Sequence, residues 1–241
     1  MIKNDSRFAC AISALIIAGG LLFVAAAPAL AADETQADYA PEVDVFVKVT
    51  ETTRLFFQTT LTQNTTENTT NGSVGVHYDI TLKPILRRQL READWERDRY
   101  FWIRIGYQYS GDLLSDKGSS IESRGVLEAT GRASLPFEFW LVNRIHVDLR
   151  FTNGEYSQRY RERLGIERQV VVGGVTAVPY AEAEFYYDTR FYAWNRQFYQ
   201  TGAEIELTDH WRIEPYYARQ NDQRSTPAHL NRIGLILKTY W

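Results

Sequence analysis

Cysteine is almost missing from this 241-residue chain. The single one, Cys10, stands in an apolar amino-terminal run without the Leu-rich approach of a lipoprotein cysteine. The rest of the chain can therefore build neither a disulfide framework nor a thiol site. Lysine is scarce as well: beyond residue 31 only Lys48, Lys83, Lys117 and Lys238 remain, against 21 arginines. Setting aside Lys3, Arg7 and Asp5 leaves 25 basic and 29 acidic residues, a net charge near −4. There is no continuous basic run, so no nucleic-acid partner is expected. After residue 31 no apolar run approaches the ~18 residues of a membrane helix. No His/Cys cluster has metal-ligand spacing and no glycine-rich phosphate cradle occurs, so neither a metal nor another cofactor is expected.

What is present begins with a leader. Lys3 and Arg7 precede an apolar stretch from Ala9 to Ala29 that ends in Ala29-Leu30-Ala31, the pattern of a secretory signal cut after Ala31. The expected organisation is a signal peptide over 1–31, a polar lead over 32–42 and one domain of about 200 residues over 43–241.

That domain reads as strands. Apolar and polar residues alternate with a period of two in Val74–Lys83, Phe101–Tyr109, Ile121–Ala133, Phe139–Phe151, Pro179–Asp188, Ala203–Leu207, Ile213–Tyr217 and the segment from His229 to Trp241. Asn153-Gly154 is a hairpin signal. Ten strands follow Thr53. An eleventh over Val43–Thr50 leaves the parity unsettled, so the count is ten with a lumenal lead or twelve with one strand hidden. Asn64–Gly72, with its Asn-x-Thr/Ser triplets, reads as a solvated loop. Pro84–Asp98 reads either as an amphipathic surface helix or as an irregular charged turn. The expected fold is all-β: a closed antiparallel transmembrane β-barrel of about 10–12 strands. Trp102, Trp140, Trp194, Trp211, Tyr216 and Tyr217, near strand ends, are expected to form interfacial girdles.

Charge inside strands sharpens this expectation. A charged side chain facing lipid costs on the order of 2–4 kcal/mol at the midplane, so the charged faces must look inward. Glu122, Arg124 and Glu128 would then stand beside Arg144, His146, Asp148 and Arg150. Next come Arg159, Arg161 and Arg163, then Glu182 and Glu184, then Glu204 and Glu206. Strands ~4.7 Å apart make such residues cross-strand pairs, and arginine's planar fork suits carboxylates. The lumen is expected to be either a salt-bridged plug, serving a structural role, or a narrow charge-lined pore, in both cases without enzymatic activity. The alternative is a hydrolase, protease- or lipase-like, at the outer rim. His146 with Asp148 and Glu182 with Glu184 are the groups that such general-base chemistry would use, although Arg161 and Arg163 come between them. His210 and His229 read as ordinary surface residues.

The last strand places Ile233, Leu235, Leu237, Thr239 and Trp241 on one side and Arg232, Gly234, Ile236, Lys238 and Tyr240 on the other. Its Arg232, Gly234, Leu237 and terminal Trp241 look like the closing strand of a bacterial outer-membrane barrel, the pattern the barrel-assembly machinery reads. Glu122-Ser-Arg124, Leu135-Pro136, Asn143-Arg144, Tyr160-Arg-Glu-Arg163, Pro179-Tyr-Ala-Glu182 and Asn195-Arg196 extend the likeness. Together they resemble a family of outer-membrane barrels known as domain of unknown function 2490. The resemblance implies a barrel in a Gram-negative outer membrane, with membrane lipid and the assembly machinery as partners. It implies no catalytic residues.

Overall fold

The computed structural model describes residues 35–64, 69–82, 100–114, 120–224 and 228–241. The expected leader and the Pro84–Asp98 segment lie outside the described residues. Strands β1 (Thr35–Lys48), β2 (Thr53–Asn64), β3 (Thr69–Thr81), β4 (Phe101–Leu114), β5 (Ile121–Ser134), β6 (Phe139–Thr152) and β7 (Glu155–Arg168) come first. The three-residue β8 (Val170–Val172), β9 (Val175–Asp188), β10 (Ala193–Glu206), β11 (Trp211–Asp222) and β12 (His229–Tyr240) complete the sheet. Each strand pairs with its neighbour in sequence, except that β8 only prolongs the β7–β9 hairpin. β1 also pairs with β12, so eleven strands close a ring.

That closure answers the parity question differently from either expected count. β1 runs parallel to β12, in register from Thr35 against His229 to Phe46 against Tyr240, while the other ring neighbours are antiparallel. An odd ring must contain such a joint, because strict alternation of direction cannot close on itself. The expected polar lead at 32–42 is corrected accordingly: from Thr35 onward it is the first half of β1. Its inward face is polar (Gln36, Asp38, Glu42, Asp44), which is why it does not look like an apolar strand start. β1 turns into β2 through residues 49–52, where Val49 and Thr50 N–H groups both donate to the Thr53 carbonyl. The expected loop at Asn64–Gly72 is also shorter, since Asn64 belongs to β2 and Thr69–Gly72 to β3.

The chain turns where its sequence permits. Asn153 and Gly154 take φ of 51° and 88°, the left-handed pair of a two-residue hairpin, and Gly173-Gly174 makes the turn from β8 into β9. Other short turns do so with less suited residues: Leu135–Glu138 between β5 and β6 puts Phe137 and Glu138 at φ of 62° and 64°, and residues 189–192 between β9 and β10 put Tyr192 at 49°.

Period-two alternation sorts the side chains. Ile105, Leu127, Ile145 and Leu235 point out of the ring and are each about half exposed (50–53%). Glu184, Asp79, Asp148 and Asp188 point in and are fully buried. A water-soluble protein would reverse this distribution, and lipid is the solvent that suits it. The expected aromatic girdle is half right. Trp194, Trp211 and Tyr217 face outward. Trp102, Trp140 and Tyr216 share parity with Arg104, Arg144 and Arg212 and so face the lumen. Proximity to a strand end does not decide this; parity does.

Candidate functional site: the charged lumen

The inward side chains of β5, β6, β7 and β9 form one continuous ionic network, with positions set by register. Arg124 stands opposite Arg150 and Arg144 opposite Arg163, like charges that would repel if left alone. They are resolved diagonally. Arg124 and Arg150 converge on Glu122, which also accepts from Thr152 (3.1 Å). Arg163 reaches Glu182 at 2.6 Å and Glu184 at 2.8 Å, while Arg144 lies 3.7 Å from Glu128. Asp148, on β6, gathers Arg161 (3.2 Å), Arg124 (3.7 Å) and His146 (2.8 Å). Asp188, at the end of β9, binds Arg150 (3.3 Å), Arg159 (3.0 Å) and Arg190 of the following turn (2.7 Å). Basic β7 thus lies between carboxylates contributed from both sides.

The structure brings the expected ladder residues from Glu122 to Glu184 into this network. Glu204 stands apart from it, bound by Arg212 (3.0 Å) and Lys238 (2.6 Å) from β11 and β12. Glu206 is the last residue of β10, near the opposite mouth from Asp188. Of the closing-strand residues, Arg232 and Gly234 face inward and Leu237 and Trp241 outward. Arg232 holds Asp38 of β1 at 3.0 Å across the parallel joint.

His146, the candidate base, is wedged between acids. Its Nδ1 lies 3.1 Å from Glu128, and its Nε2 is shared by Asp148 and Arg161. Among the described residues no hydroxyl hydrogen-bonds it. Arg161 and Arg163 stand between His146 and the Glu182/Glu184 pair, with Arg161 3.6 Å from Glu184. The geometry is that of an imidazole fixed as one member of an ion cluster.

The other half of the lumen was not foreseen. Along one register row, Tyr240, Phe46, Phe56 and His77 come from β12, β1, β2 and β3 and stack face to face. Their ring centroids are 4.9, 4.6 and 5.1 Å apart. Guanidinium groups cover the rings: Arg212 over Tyr240 at 4.6 Å, Arg54 over Phe46 at 4.1 Å and Arg104 over Phe56 at 4.2 Å, within range for cation–π attraction. Arg54 and Arg104 are both anchored on buried Asp79, each at 2.7 Å. His77 ends the row over Gly106, where a Cβ would lie 2.1 Å from its Nδ1. The sequence signal was parity: Phe46, Phe56 and Tyr240 alternate in phase with Asp44, Arg54 and Lys238.

These walls leave an open lumenal space of about 650 Å³ that both halves line. At ~30 Å³ per molecule, that is room for about twenty waters. The space offers fixed charges of both signs to a small polar solute.

No protein-family model matches the chain, and no curated protein is significantly similar to it. Among solved structures it is similar to the β domain of the Bordetella autotransporter BrkA, with a TM-score of 0.44 at 15% identity over 80% of this chain and 83% of that one.

Proposed function

We propose that this chain is a non-enzymatic outer-membrane barrel that passes small polar solutes through a narrow lumen lined by arginine–carboxylate pairs. The observation that carries the proposal is the open space inside a closed ring whose outer wall is apolar. The lumenal arginines of β5 to β9 are paired with carboxylates, so a solute meets fixed charges of both signs rather than a bare field of one sign. Membrane placement is supported by the outward apolar belt. Export is supported by the leader pattern. Insertion by the barrel-assembly machinery is supported by the closing strand with Arg232, Gly234, Leu237 and Trp241. The resemblance to the domain-of-unknown-function 2490 barrels is in keeping with all three. The engagement of both His146 nitrogens by charged partners supports a structural role for the residue that a rim hydrolase would need free.

Planar-bilayer recording of the refolded chain tests the pore. Small openings are expected, and their absence in folded protein would leave the salt-bridged plug. Membrane fractionation with heat-modifiable gel migration tests the placement: recovery in the soluble fraction without detergent would refute it.

A further inference from the structure

A cleft of about 340 Å³ opens on the outer wall of the ring, not the inner one. Its volume is in the ~300–1,000 Å³ range of small-molecule sites. It lies at a bulge in β10, where the register with β9 slips between Trp194 and Arg196 and leaves Asn195 without a partner on β9. The Asn195 backbone carbonyl accepts from the Gln223 N–H instead (2.9 Å). Glu162 of β7, Phe185 of β9, Trp194, Asn195 and Gln197 of β10, and Asn221 of β11 line it.

Two features there are out of place on a lipid-facing wall. Glu162 lies midway along β7, pointing outward between Ile145 and Phe185. Among the described residues its carboxylate has one partner, the Asn143 amide at 2.8 Å. Asn195 is buried at 4% exposure, and its Oδ1 accepts no hydrogen bond. Both are acceptors, and both sit beside the rings of Phe185 and Trp194. The cleft's other charged residue, Arg196, spends its guanidinium on Asp222 (2.7 and 2.6 Å). An uncompensated carboxylate, an idle carbonyl oxygen and aromatic faces together complement a hydrogen-bonding cation. Arg219, outward on β11 and not itself in the lining, donates to the lining residue Asn221 (3.2 Å), so a guanidinium lies within one side chain of the cleft.

We propose that this cleft is a specific site for a membrane phospholipid whose headgroup carries both a primary ammonium and a phosphate. The ammonium sits on Glu162 and Asn195, the phosphate faces Arg219, and the acyl chains lie along the apolar wall. The proposal rests on the membrane placement above.

The test is native mass spectrometry of the refolded full chain from micelles doped equally with phosphatidylethanolamine, phosphatidylcholine and phosphatidylglycerol. Phosphatidylcholine lacks N–H donors and phosphatidylglycerol lacks the cation. The ethanolamine lipid is expected to be retained about tenfold over either, the worth of a charged hydrogen bond. Glu162→Gln is expected to abolish that preference while heat-modifiable migration is unchanged, and Arg219→Gln to weaken retention of the ethanolamine lipid. Equal retention of the three lipids, or a preference that survives Glu162→Gln, would overturn the site and leave the barrel reading standing. A chain that never becomes heat-modifiable in lipid vesicles would overturn both.

Discussion

The two halves of the lumen solve one problem in different ways. From β5 to β9, buried charge is neutralised by charge, each arginine reaching one or more carboxylates on adjoining strands. From β12 through β3, flat rings are stacked along one register row and arginines are laid over them, with Asp79 as anchor. The ionic half lies on antiparallel pairs. The aromatic half spans the single parallel joint, where the ladder is slightly weaker per residue. Stacked pairs contribute roughly 0.5–1.5 kcal/mol each, and cation–π contacts about 0.5–2 kcal/mol. Side-chain stacking therefore adds cohesion at the place where backbone pairing supplies least.

The largest effect is expected at the anchor shared by two arginines. Asp79→Ala removes from both Arg54 and Arg104 the carboxylate each holds at 2.7 Å in a buried site, leaving Arg104 with Glu128 at 4.0 Å. Removing one partner of a buried pair costs ~3–5 kcal/mol. Denaturant unfolding of the folded barrel in detergent micelles should show it, and a loss under 1 kcal/mol would mean water enters freely there. Asp148→Ala is the matching cut in the ionic half. Because Arg124 and Arg161 have other acids in reach, Glu122 and Glu184, it should cost less than Asp79→Ala. A larger cost would reverse the comparison. Gly106→Ala drives a methyl into the His77 ring and against the Val76 carbonyl (2.1 and 2.8 Å). It should destabilise by about 1–3 kcal/mol, read from the same denaturant unfolding. The smallest effect is a gain. Replacing Phe137-Glu138 by Asn-Gly relieves two left-handed residues and should stabilise by about 1–2 kcal/mol, read from the same unfolding curves.

Much of this design was legible in the sequence, because a spanning strand writes its two solvents into alternate residues. The ladder from Glu122 to Glu184 could be placed on one face, and Asn153-Gly154 announced its own turn. The join near Leu135 was legible, but its left-handed backbone at Phe137 and Glu138 was not, since neither residue favours positive φ. β1 was half-missed because its start faces a polar lumen with Gln36 and Asp38, so it lacks the apolar run that marks an entry into lipid. Stacking was not legible for a different reason: phase puts Phe46, Phe56 and Tyr240 on the charged face, but only the register between strands brings the three rings into one row. Which strand meets which at the ring's closure is a long-range matter that no local pattern records.

The parallel joint also sets what rearrangement of the chain the fold tolerates. The strand that opens the ring starts at one mouth, and the strand that closes it finishes at the other. Splicing those two ends together, as in a circular permutant, would need a connector that climbs the full height of the wall, a dozen residues or more. A barrel with an even number of strands brings the same ends to one mouth, where a tight turn would suffice.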